Sequence, residues 1–149
     1  ETESPEFKKC KTLAHELNVL DSVLFFGAIP YKDLPAYYQN SYINIFASSC
    51  ENCPNIMLEA LASGRPLLSS NVPPMPEFGK DGVIYFSPYD DESFYNGLCQ
   101  LMASEDMMEY YAKKAIEISN LYSWEDTAKQ TWKSIYCLEK SLNNIKENK

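Results

Sequence analysis

"YINIFASSCENCPNIMLEALASGRPLLSS", residues 42–70, decides the fold. Residues 42–49 are a short run of aromatic and β-branched side chains ending in two serines, the composition of a buried strand. Residues 54–62 open on Pro54, which suits the first position of a helix, and then run apolar as far as Ala62. Gly64 stops that helix, and "RPLLSS" at 65–70 is the next strand. Strand, helix and strand in so few residues is a βαβ unit, and such units build parallel sheets.

The same alternation extends to both sides. Upstream, "PEFKKCKTLAHELN" (5–18) predicts a helix with Pro5 in its first turn. "SVLFFG" (22–27) predicts a buried strand closed by Gly27, and "YKDLPAYYQN" (31–40) a short helix with Pro35 near its start. Downstream, the proline-rich loop "NVPPMPEF" (71–78) leads to a strand at 82–88. Asp90 or Asp91 can cap the helix that follows, and another helix is expected over 105–120. Ser123 opens a long last helix, with Asp126 at capping-box spacing, and the polar stretch from Asn143 to Lys149 is expected to fray. The fold class is therefore α/β: a Rossmann-like parallel sheet with apolar strands and helices on both faces.

Composition narrows the function. The chain has 149 residues and a net charge of −8, and Arg65 is its only arginine. No basic stripe is present to follow a phosphodiester backbone, so nucleic acid is not an expected partner. No apolar run is long enough to span a membrane. The chain starts at Glu1 and has no signal-peptide pattern, so a cytoplasmic protein, or a piece of one, is expected. Five scattered cysteines suit a reducing compartment, and with a single histidine they give no zinc-site spacing, so no metal is expected.

The segment 50–59 admits three readings. Cys50 and Cys53 form a CxxC between a strand and a helix start, which allows thiol-redox chemistry; the plainer reading is that both thiols pack. The order of elements downstream is not thioredoxin-like. Glu51 and Glu59 are separated by seven residues, a spacing that carries little weight. Three other glutamate pairs share it (Glu109 with Glu117, Glu117 with Glu125, Glu139 with Glu147) on charged helices, where a solvated face explains them. What distinguishes Glu51 is its place just after the carboxyl end of a strand, where open α/β sheets bind ligands. The helix beginning at Pro54 would point unpaired amides there, a natural seat for phosphate. Asn55 and Glu59 share one helix face, and Glu59 is the single charge between Pro54 and Ala62; a ligand hydroxyl can be its partner, and a capped or solvated carboxylate is the plainer alternative.

"SSCENCPNIMLEALASGRPLLSSNVPPMPEF" resembles the donor-binding core of the group 1 glycosyltransferases (family four, GT-B fold). A strand ending in Ser leads to Glu51-x7-Glu59; Pro54-Asn55 precedes Leu58-Glu59-Ala60; then come Ala62-x-Gly64-x-Pro66 and a loop ending in Pro76-Glu77. "VLFFGAIPYKDLPAYYQNSYINIFASS", "DGVIYFSPYDDESF" and "YSWEDTAKQTWKSIY" resemble the flanking parts of that domain, so the likeness covers nearly the whole chain. The resemblance implies a retaining transfer of sugar from a nucleotide-sugar donor to a sugar, lipid or protein acceptor, without a metal or other cofactor. It implies that Glu51 is the catalytic carboxylate, on the donor sugar hydroxyls. It also implies that Asn52, Cys53, Pro54 and Asn55 hold the sugar and diphosphate, with Glu59 on the ribose.

Two departures bear on this. Pro73 and Pro74 stand where the family has glycines. The family's first two strands, with a Gly-Arg … Lys segment, have no counterpart here, nor has its acceptor-binding N-terminal domain. The chain is therefore expected to be a partial C-terminal nucleotide-sugar domain, inactive alone. It is expected to be cytoplasmic, or held at a membrane surface through the missing domain, and open to self-association through an incomplete sheet. A non-catalytic Rossmann-like binding domain is the alternative.

Overall fold

A computed structural model describes residues 4–147. Two compact units divide the chain, residues 1–34 and 35–149.

The first unit is built on helix α1 (Pro5–Glu16). The Ser4 hydroxyl accepts from the Phe7 amide at 3.1 Å, and Pro5 takes the first turn, where a missing N–H costs nothing. Ala14 is its buried residue, and Phe7 meets Phe25 edge to face at 5.0 Å. A 3-10 turn follows at Leu20–Ser22, and another at Tyr31–Asp33. Between them the expected strand at 22–27 does not form: no residue there joins a ladder. Its side chains face solvent, with Leu24 75% and Phe26 58% exposed. An apolar run signals a tendency to be buried, but a strand also needs a neighbouring strand for its ladder, and among the described residues none pairs with this segment.

The second unit holds a three-stranded parallel sheet in the order β1 (Asn44–Phe46), β2 (Leu67–Ser70), β3 (Ile84–Phe86). Ile45 is in register with Leu68, and Leu68 with Ile84. The strands are shorter than the apolar runs that predicted them, because the ladder stops where the chain turns away into loops. Helix α2 (Leu34–Asn40) precedes the sheet, and α3 (Asn55–Ala62) joins β1 to β2. The motif Pro76-Glu77, expected at a loop end, lies inside a short helix, α4 (Met75–Gly79), which the early prolines favour. Helices α5 (Asp91–Leu101), α6 (Glu105–Ser119) and α7 (Trp124–Glu147) complete the chain. The tail expected to fray from Asn143 is helical as far as Glu147; its last two residues lie outside the described ones.

Side chains of β2 alternate between two apolar clusters, one on each face of the sheet, as the parallel-sheet reading requires. Leu67 packs with Met57 and Leu61 of α3, Met75 of α4 and Ala115 of α6. Leu68 packs with Ile84, Phe86 and Leu101, with Phe94 and Leu98 of α5 against them. Helix α5 lies close to the sheet because Gly97 has no side chain: a Cβ there would stand 2.9 Å from Leu68 Cδ1. Helix α6 serves both clusters, through Ala115 on one and Met108 on the other.

The first cluster contains one flaw. The Tyr85 hydroxyl is buried and has no hydrogen-bond partner among the described residues. Burial, and to a lesser extent Tyr122 and Asp81, push its phenol well above the ordinary value. An unpaired buried hydroxyl costs about 1–3 kcal/mol, so Tyr85→Phe is expected to leave stability unchanged or raise it by about 1 kcal/mol in urea unfolding. The linkage has a definite sign. Above about pH 10 the unfolded chain releases the Tyr85 proton while the folded chain keeps it, so stability falls as pH rises. That alkaline loss is expected to be smaller in Tyr85→Phe, and an equal loss in both proteins would contradict it.

Candidate functional site

Because all three strands are parallel, their carboxyl ends share one edge of the sheet. The connections that leave it are residues 47–54, 71–74 and 87–90. The expected site residues Glu51, Asn52, Cys53 and Pro54 all fall on the first of these, and Asn55 and Glu59 on the helix it enters.

The first connection is anchored from below. Ser70, fully buried at the end of β2, donates its hydroxyl to the Ser48 carbonyl at 2.6 Å. The Ser48 hydroxyl in turn accepts from the Cys50 amide at 3.4 Å. This tie joins the end of β2 to the loop after β1, and the strand expected at 65–70 does not by itself predict it. The signal was available: a serine inside an apolar strand must find an acceptor.

Helix α3 starts one residue later than expected. Pro54 is its N-cap, with φ −81° and ψ 66°, and the Asn55 amide donates back to the Cys53 carbonyl at 2.9 Å. That is an inverse γ-turn, which tilts the helix entry without using a side-chain cap. The contrast with the other long helices is plain. Ser4 caps α1, Ser104 caps α6, and Asp90 accepts from both the Glu92 and Ser93 amides at the start of α5. The Ser123 hydroxyl likewise accepts from the Asp126 amide. At α3 no side chain caps the end, and among the described residues the amides of Ile56 and Met57 have no acceptor. The end of α5, also at this edge of the sheet, is filled by its own Asp90; the end of α3 is open.

The inner face of α3 is Met57, Ala60 and Leu61, at the spacing of one buried stripe. Glu59 lies beside that stripe and is half-buried, as is Glu51 in the loop; Asn52, Cys53 and Asn55 are exposed, and Pro54 is buried. Two expectations need correction. Glu59 has an interaction within the chain, so its charge does not by itself demand a ligand. A carboxylate has lone pairs for several donors, and one internal partner leaves capacity for others. Cys50 and Cys53, read as packing thiols, are both exposed, because the loop that carries them runs over the surface.

Arg65, the single arginine, donates its Nε to the Gln39 carbonyl at 2.7 Å and stands before β2, at the amino edge of the sheet. It has a structural role, away from the carboxyl-edge loops. The loop after β2 carries a cis peptide between Pro73 and Pro74 and enters α4. Among the described residues no group of three or more His, Cys, Asp or Glu is placed to hold a metal ion, and no helix is long and apolar enough to cross a membrane.

A family model described as glycosyl transferases group 1 matches residues 3–118. The chain is 30% identical over 129 residues to a D-inositol 3-phosphate glycosyltransferase of Corynebacterium urealyticum, covering 84% of this chain and 30% of that protein. It is 31% identical over 121 residues to an alpha-monoglucosyldiacylglycerol synthase of Streptococcus pneumoniae, covering 78% of this chain and 27% of that protein. Among solved structures, the sucrose-phosphate synthase of Thermosynechococcus elongatus superposes with a TM-score of 0.83 at 23% identity, over 95% of this chain and 36% of that one. The chain thus spans about 30% of the length of the curated relatives it matches, and its fold is that of part of a GT-B glycosyltransferase.

Proposed function

The chain belongs to the group 1 glycosyl transferases, and on that premise we propose that it is the partial C-terminal, nucleotide-sugar-binding domain of a retaining transferase. One observation carries the reading. The open amino end of α3, where the amides of Ile56 and Met57 have no acceptor among the described residues, lies at the carboxyl edge of the sheet, reached from Glu51 through Asn52, Cys53 and Pro54. Unpaired amides on a positive dipole end suit a diphosphate, and they offer it binding without an arginine or a metal.

Glu51 then faces the donor sugar and is the catalytic carboxylate. Asn52, Cys53, Pro54 and Asn55 form the turn that receives sugar and diphosphate, and Glu59, one turn into the helix, takes the ribose hydroxyls. Charge that builds on the leaving diphosphate is met by fixed N–H donors, which need no reorganisation during the reaction. The acceptor, whether sugar, lipid or protein, is bound by a domain outside these 149 residues. The reaction takes place in the cytoplasm, or at a membrane surface that the other domain contacts.

Calorimetric titration with a panel of nucleotide sugars and the corresponding nucleoside diphosphates tests this. One donor is expected to saturate the chain at one site, with the free diphosphate competing for it. Failure of the whole panel to bind would favour a non-catalytic domain instead. A second expectation concerns association. Strand β1 is an edge of the sheet, and residues 23–26 expose apolar side chains. Unpaired edges and apolar patches promote pairing with another chain. Sedimentation at rising concentration is expected to show self-association, and a monomer at every concentration would contradict it.

A further inference from the structure

We propose that Cys50 and Cys53 form a reversible dithiol–disulfide site that controls the loop carrying Glu51. The inference rests on the function proposed above for its effect on ligand binding, but not for the chemistry of the thiols themselves.

The thiols are three residues apart and both exposed. The loop between them has no helical or ladder hydrogen bonds. Among the described residues its backbone ties lie at its ends, where the Cys50 amide and carbonyl both meet the Ser48 hydroxyl and the Asn55 amide donates to the Cys53 carbonyl. Glu51, half-buried, and Asn52, exposed, are the two residues a disulfide would enclose. The Cys53 thiol points to the Asn55 side-chain oxygen at 3.6 Å, a weak contact, and no hydrogen bond of the Cys50 thiol is recorded among the described residues. Neither sulfur is committed to the core. Cys10, Cys99 and Cys137 are also exposed, but none lies within three residues of another cysteine.

The oxidant is a low-molecular-weight disulfide of the glutathione type. One protein thiolate attacks a sulfur of glutathione disulfide, forming a mixed disulfide and releasing one glutathione thiolate. The second protein thiolate then attacks the protein sulfur of the mixed disulfide. A Cys50–Cys53 bond forms, the second glutathione leaves, and two protons pass to solvent or to the departing thiolates. The protein loses two electrons and glutathione disulfide gains them. The ring so closed contains Glu51 and Asn52, and it fixes the carboxylate before any ligand arrives. Such a site is expected to change nucleotide-sugar affinity by about tenfold between the oxidised and reduced forms, reversibly.

The test uses the full chain with Cys10, Cys99 and Cys137 replaced by Ser, in buffers of stepped glutathione to glutathione disulfide ratio. Intact mass and alkylation of the remaining thiols are read at each step. Loss of two hydrogens, protection of both thiols together, and recovery with dithiothreitol are the expected result. Cys50→Ser in the same background is expected to accumulate the glutathione adduct of Cys53 instead. Two unprotected thiols throughout, or adducts without the internal bond, would overturn the site. Titration of both forms with the donor found by calorimetry reads the coupling, and equal affinities would overturn control of the loop. If neither form binds any donor, the proposed function fails, while the mass measurement still decides the thiol chemistry.

Discussion

Glu51→Gln in a complete transferase carrying this domain is expected to lower turnover by about 10- to 150-fold, with the melting temperature unchanged. The substitution keeps the shape of the side chain and removes its charge. Hydrogen bonds to a charged group are worth about 1.5–3 kcal/mol, and each 1.4 kcal/mol lost only in the transition state is about tenfold in rate. Glu51 is half-buried on a surface loop held by the Ser70–Ser48 hydrogen bond, so the fold does not depend on its charge. Glu59→Ala is expected to act differently, raising the apparent donor constant by about tenfold or more with a smaller change in turnover, since ribose contacts are alike in ground and transition states. Steady-state kinetics over donor concentration separate the two. Unchanged kinetics for both variants would leave the two carboxylates without a part in the reaction.

Leu68→Ala is expected to destabilise the second unit by about 2–5 kcal/mol in urea unfolding. Leu68 is fully buried in β2, between Ile84 and the Gly97 turn of α5, so its removal leaves a cavity in the core. Leu24→Ala is expected to change stability by no more than about 0.5 kcal/mol, because Leu24 is 75% exposed. The two leucines lie in runs that read alike as buried strands, so the comparison also tests the difference between them. Equal costs would mean that residues 22–27 occupy a sheet after all.

That contrast shows what the amino-acid pattern conveys. The run from Tyr42 to Ser70 makes its strand, helix and strand from local signals, namely β-branched residues, Pro54 and Gly64, and the same elements stand in the structure. The run from Ser22 to Gly27 has equally good local signals, but strand formation depends on a neighbour, and no local pattern reports whether one exists. The position of the candidate site was legible, because the residue after a strand and before a helix must lie at the carboxyl edge of a parallel sheet. Its fine geometry was not. The γ-turn at Pro54 and the buried hydroxyl of Ser70 depend on contacts 2 and 22 residues away, which periodicity does not contain. Thiol exposure was also hidden, since cysteine is most often buried and only the loop's path places Cys50 and Cys53 outside.

The most direct measurement is an amide NMR titration of this chain with the nucleotide sugar that calorimetry selects. The expected result is that the largest shifts fall on Ile56 and Met57, whose amides lack acceptors among the described residues, with smaller ones at Asn52, Cys53 and Asn55. The amides of Glu92 and Ser93, already held by Asp90, are expected to stay in place. Saturable shifts at the start of α5 with none at the start of α3 would contradict the account.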